Sequence, residues 1–166
     1  MIIGMSVANF TTFHVVLSLI GIASGFIVIF AMLANKTLPA LTALFLLTTV
    51  ATSVTGFFFP STGIDPAQVV GIVSLLVLVA ALIARYTYRL NGRSRWVYIV
   101  AAVMAQWFNC FVGAVQSFQK IAFVHALAPT QKEPPFLIVQ LALAVFLIAL
   151  GALALRRFRP TPAAAR

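Results

Sequence analysis

The sequence predicts an all-α, polytopic membrane protein, a bundle of five transmembrane helices with its N-terminus outside and its C-terminus in the cytoplasm. Three features carry that expectation. Of 166 residues, 63% are hydrophobic and only 8% are charged, whereas soluble globular domains run at roughly 45–50% and 25%. Five stretches are apolar for about the 20 residues that a helix needs to cross a hydrocarbon core ~30 Å thick. The basic residues, 11 against 2 acids, gather on one side of the membrane once five crossings are drawn. A mean hydropathy of +1.11 excludes a disordered chain as firmly as a soluble one.

The first span covers about 11–33 and stops at Ala34-Asn35-Lys36. No Lys or Arg precedes it and it is long enough to cross, so it reads as a retained helix, not a secretory signal. The second covers about 39–59, opening on Pro39, a residue suited to a first helical position, and closing before Pro60. Asp65-Pro66-Ala67-Gln68 supplies an N-cap acid, a proline at N1 and a glutamine at N3 for the third, about 66–88. The fourth, about 96–127, would extend ~48 Å at ~1.5 Å per residue, so it must tilt, bend or project from the bilayer. Pro134-Pro135 opens the fifth, about 135–155, which closes on Arg156 and Arg157. The extensions are too short for a second domain, so residues 1–166 form one membrane domain.

Five crossings place Lys36, Arg85, Arg89, Arg93, Arg95, Arg156, Arg157, Arg159 and Arg166 on one face, which the positive-inside rule makes cytoplasmic. Lys120 and Lys132 share the other face with Asp65 and Glu133. Tyr86, Tyr88, Trp96 and Tyr98 flank the Arg-rich connection where an aromatic belt belongs. The charge excess therefore reports topology, not nucleic acid. The arginines at 85, 89, 93, 95, 156, 157 and 159 are also candidates for contact with anionic inner-leaflet lipids.

Chemistry concentrates on the fourth span. At ~100° per residue Gln106, Asn109, Cys110, Gly113, Gln116, Ser117 and Lys120 fall on one face, with Trp107, Phe108, Phe111, Val115 and Phe118 opposite. The stripe of Gln106, Asn109, Gln116, Ser117 and Lys120 is read either as interhelical glue or as the lining of a polar cavity. Thr42, Thr49, Ser53 and Gly56 on the second span, with Thr48, Thr52 and Thr55 nearby, are possible partners. So are His14, Ser18, Gly21 and Gly25 on the first, whose Gly21-Ile-Ala-Ser-Gly25 is a GxxxG permitting close helix approach. His14, His125, Asp65, Glu133 and Gln140 all belong toward the outer side, where a shared vestibule would suit a titrating group, a metal or a haem iron. Asp65 is equally explained as a helix cap, and two histidines without a third ligand make a weak metal site. A lone Cys110 excludes an intrachain disulfide, and there is no CxxC, HExxH, GxGxxG or Walker-type run.

The runs Thr12-Phe13-His14, Thr52-Ser-Val-Thr-Gly-Phe-Phe-Phe-Pro60, Phe108-Asn-Cys-Phe111 with Gln116 and Lys120, and His125 through Phe136 resemble those of small proteobacterial inner-membrane proteins. The resemblance spans most of the chain and implies location and fold, with no activity to carry over. The function expected is that of an integral membrane protein without an enzymatic motif: a small-solute or ion-handling element, an accessory subunit of a membrane complex, or a homo-oligomer. The alternative is a membrane redox protein holding haem or quinone through the outer-side histidines.

Overall fold

The computed structural model describes residues 1–60 and 66–160; the expected cap Asp65 and the terminal Arg166 lie outside them. Six helices follow in order: α1 (Val7–Leu33), α2 (Pro39–Gly56), α3 (Pro66–Leu82), α4 (Ser94–Lys120), α5 (Ala122–His125) and α6 (Pro134–Arg157). Five of them are long and apolar enough to cross a membrane; α3 does so together with the π-helical turn Ile83–Thr87 that continues it. Among the described residues there is no strand, only an isolated bridge between Ile2 and Met5.

Local chemistry sets the boundaries. Ser6 caps α1, its hydroxyl oxygen accepting from the Asn9 N–H at 3.2 Å, so the helix starts four residues before the apolar run suggests. The other end closes with Asn35 in the left-handed region (φ 53°), Lys36 N–H donating to the Ala31 carbonyl at 2.8 Å and Asn35 N–H to Met32 at 3.0 Å. Pro39 occupies the first position of α2, as expected.

The long fourth span is where structure and expectation part. It does not run unbroken to 127: α4 ends at Lys120, and Ile121 is extended (φ −94°, ψ 111°) before the single turn of α5. Side chains from beyond the break reach back to carbonyls in the last two turns of α4. His125 Nδ1–H donates to Phe118 O at 2.9 Å, and Gln131 Nε2 donates to Val115 O at 2.9 Å. Ending the helix there leaves α4 with 27 residues, about 40 Å at ~1.5 Å per residue.

Helices α1, α2, α3 and α4 form a closed ring, each against the next and α4 back against α1, while α6 packs into the groove between α1 and α4. Two ends can be distinguished by composition: an Arg-rich end, with the α1–α2 and α3–α4 connections and the C-terminus of α6, and a histidine end, with the N-terminus and the α4–α6 connection. The Arg-rich half is filled by Ile29, Met32, Phe45, Leu46, Leu78 and Ile99, all buried. At that end Arg95 Nη1 donates to the Leu155 and Phe158 carbonyls at 3.1 and 2.5 Å, a cation on the negative pole of α6. Asn35 Oδ1 accepts from Arg159 N–H at 2.7 Å and ties the same terminus to α1. The outward side of α6 shows Leu137, Ile138, Leu141, Val145 and Ile148, an apolar face suited to lipid.

Candidate functional site

Polar side chains rarely face lipid without a reason, because an unpaired group there costs several kcal/mol. Most hydroxyls in this bundle settle the matter locally by donating to a carbonyl one turn back: Ser18 to His14, Ser24 to Ile20, Thr48 to Leu44, Thr55 to Ala51 and Ser117 to Gly113, at 2.6–2.8 Å. The side chains that do otherwise define the candidate site. They lie where α1, α2 and α4 meet.

Gln106 is its deepest member, 0% exposed. Its Nε2 donates to the Ile22 carbonyl of α1 at 3.0 Å and lies 3.6 Å from Cys110 Sγ, while Oε1 has no hydrogen-bond partner. The GxxxG of α1 is the socket for this amide. A Cβ on Gly25 would overlap Gln106 Oε1 and stand 2.8 Å from both Gln106 Cδ and Phe45 Cε2. The absent side chain is what lets the Gln106 amide lie against the backbone of α1 at this point. Gly21 does the same for the next layer: a Cβ there would meet Thr48 Oγ1 and Thr49 Oγ1 at 3.3 Å and Asn109 Nδ2 at 3.4 Å. Asn109 Nδ2 donates across that layer to Thr49 Oγ1 at 3.0 Å.

Toward the histidine end the packing opens. Thr48, Thr49 and Gln106 are buried, but Ser18, Thr52, Thr55, Gln116, Ser117 and His14 are all partly exposed, and Lys120 is fully so. His14 and Thr55 approach at 2.8 Å through Nδ1 and Oγ1. Thr55 Oγ1 also lies 2.7 Å from Ala51 O, so its hydroxyl is shared between that carbonyl and the imidazole. Gly56 keeps this edge of the ring clear, since even a Cβ there would stand 3.8 Å from His14 Cε1. Lys120 is the charged group within electrostatic reach of His14. Phe59 packs edge-on against the imidazole at 5.2 Å, and Phe10, itself buried, touches Phe13, Phe58 and Phe59. Thr52 Oγ1, on the α1-facing side of α2 between the Thr49 and Thr55 layers, is buried and has no partner. On the far side of α2, Ser53 Oγ donates to Ser74 Oγ of α3 at 3.3 Å.

The other outer-side residues do not assemble into one vestibule. His125 is committed to Phe118 O, and Gln140 Nε2 to Phe111 O at 3.4 Å. Glu133 accepts from Thr130 N–H, Thr130 O–H and Lys132 N–H within its own loop. Slight desolvation raises the Glu133 carboxyl, but these hydrogen bonds and its own N–H outweigh it and hold the group below the usual carboxylate range. Among the described residues no three His, Cys, Asp or Glu side chains lie close enough to hold a metal ion. The arginines, treated alike in the sequence, separate: Arg89, Arg93, Arg156 and Arg157 are exposed, Arg95 is spent on α6, and Arg85 is buried at 2% exposure. Its placement was legible as the continuation of the inward stripe Ser74, Leu78, Ala81, Arg85, all buried.

A five-span helical bundle with a polar cleft at one end is a multi-pass membrane protein in class. Set beside known protein families, characterised proteins and solved structures, the chain matches none.

Proposed function

We propose that this is a non-enzymatic protein of the inner (cytoplasmic) membrane, N-terminus outside and C-terminus in the cytoplasm, that handles a small polar solute or ion in the cleft between α1, α2 and α4. The orientation rests on the positive-inside rule applied to the Arg-rich end. The state of His14 carries the functional reading. Its Nδ1 is held on Thr55 Oγ1 and its ring is partly exposed among polar side chains, near the unpartnered Thr52 hydroxyl and at the same end of the bundle as Lys120. Such a group can take a hydrogen bond or a proton from a ligand entering from the outer side. The apolar half between Gln106 and the Arg-rich end is closed by buried side chains, which favours a binding cleft over a pore.

Proteoliposomes test the proposal. Uptake or counterflow across a panel of protons, alkali cations, halides and small zwitterions should show at least one activity that His14→Ala abolishes; no difference between wild type and variant across the panel contradicts it. Copurification in mild detergent separates an autonomous element from an accessory subunit. The phenylalanine shell around His14 favours a second reading, a quinone-binding redox protein, because a quinone wants one hydrogen-bonding group in an aromatic pocket. A quinone that copurifies with wild type and not with His14→Ala would replace the solute reading, and a Soret band lost in His14→Ala would do so in favour of haem.

A further inference from the structure

The most deeply buried charge among the described residues lies at the opposite end from the cleft, and no acid among them is paired with it. Arg85 is 2% exposed, and its Nε–H, itself sealed from solvent, has no hydrogen-bond partner. Its neighbours are two aromatic faces, with Cζ 5.7 Å from the Tyr86 ring centroid and 5.6 Å from that of Tyr98. Cation–π attraction repays only part of what it costs to take an ion out of water. The usual further partners are missing. Of the two acids in the sequence, Glu133 stands at the histidine end, and Asp65, outside the described residues, precedes Pro66 at the start of α3, the helix whose far end carries Arg85. A second copy of the chain would bring the same two acids, again at the wrong end. Helix C-terminal carbonyls, the other source of negative potential, are occupied here: those of α1 by Asn35 and Lys36 N–H, that of Ala84 by Leu90 N–H, and those of α6 by Arg95.

We infer that Arg85 is the seat of an oxyanion site at the Arg-rich end, taking a phosphate-class group from outside the chain. The unpaired Nε–H lies on the side edge of the guanidinium, where Nε–H and one Nη–H run parallel and match two oxygens of a tetrahedral oxyanion. Tyr98 is the fixed wall of this site, 1% exposed and hydrogen-bonded with Thr42 of α2. Tyr86 is 50% exposed, so its ring is the wall that must swing aside for an anion to reach the sealed edge. The inward stripe that buries Arg85 also explains why the charge is not simply on the surface with Arg89 and Arg93. Free phosphate and the phosphodiester of a lipid headgroup share this chemistry, and the site stands independently of the solute cleft.

The test uses the full chain, purified and delipidated in a non-ionic detergent with gluconate as the only small anion. Melting temperature is followed on adding inorganic phosphate at constant ionic strength, and separately on adding phosphatidylglycerol or phosphatidylcholine to the micelles. Wild type should gain several degrees from at least one of these; Arg85→Gln should gain nothing, Arg85→Lys part of the shift, and the exposed Arg93→Gln all of it. A response to phosphate identifies the free anion, and a response to lipid alone identifies the headgroup. If Arg85→Gln does not fold, phosphorus analysis of washed wild type replaces it, with about one bound phosphorus per chain expected and none overturning the site. A wild-type melting temperature indifferent to both additions, or an equal shift in Arg85→Gln, also overturns it.

Discussion

Replacing Gly25 by alanine should damage this bundle far more than the same change four residues earlier or on α4. The new Cβ would overlap Gln106 Oε1 and press on Phe45 at 2.8 Å. Gln106 is fully buried, so its amide cannot swing away without breaking the 3.0 Å bond to Ile22 O. Overpacking of this kind costs about 1–3 kcal/mol, and a lost interhelical hydrogen bond in a membrane protein about 0.6–1.7 kcal/mol. Alanine's better helix propensity returns up to about 1 kcal/mol, leaving a net loss of ~0.6–4.7 kcal/mol. At Gly21 the Cβ meets only the tips of Thr48, Thr49 and Asn109 at 3.3–3.4 Å, and the cost should fall to ~0–1.5 kcal/mol. At Gly113 it meets Ile22 Cδ1 at an ordinary 3.5 Å, so alanine there should be neutral or slightly stabilising. Unfolding of the purified protein in mixed micelles with rising SDS measures all three. The double variant Gly25→Ala/Gln106→Ala should recover part of the single variant's loss, because the amide that clashes is gone. A Gly25→Ala protein as stable as Gly113→Ala would refute the socket.

Other consequences are smaller in scale. A double-mutant cycle of Asn109→Ala with Thr49→Val should give a coupling of about 0.6–1.7 kcal/mol in the same unfolding assay, and an additive pair would show that the 3.0 Å bond carries nothing. Arg95→Gln removes the cation from the last carbonyls of α6 and should cost about 0.3–2 kcal/mol, read as faster amide hydrogen exchange around Ala154–Phe158 with α1 unchanged. The lowered Glu133 carboxyl contributes order to its loop that is present above the ordinary carboxylate range and lost as pH falls through the depressed value. Protection of the Thr130 and Lys132 amides against exchange, corrected for the intrinsic rate at each pH, should therefore fall in acid for wild type, and in Glu133→Gln it should be low already at neutral pH.

The spans were legible because crossing a bilayer demands long apolar runs, and those runs survive as α1 to α4 and α6. The break at Ile121 was not, since an isoleucine continues an apolar pattern and what ends the helix is capping by His125 and Gln131 from beyond it. The polar face of α4 could be read from its period, and so could the close approach offered by Gly21 and Gly25. That the one is built to receive the other depends on which helices become neighbours, which no single periodicity encodes. Reading every arginine as a topology signal hid Arg85, whose spacing from Ser74, Leu78 and Ala81 already aimed it inward. The sharing of Thr55 between His14 and Ala51 joins helices through residues 41 apart and was visible only in three dimensions.

Wetness of the cleft is tested most directly at Thr52, whose hydroxyl is sealed in this state and has no partner in the protein, so a reagent reaches it only if water enters the cleft. In a Cys110→Ala background, Thr52→Cys should react in intact cells with a small charged thiol reagent added from outside, and a ligand of the cleft should protect it. Cys110 in the otherwise native chain, buried and hydrogen-bonded by Gln106, should stay unmodified from either side. If Thr52→Cys is inert from both sides in a folded protein, the polar face is dry helix–helix contact throughout and the solute-handling reading falls.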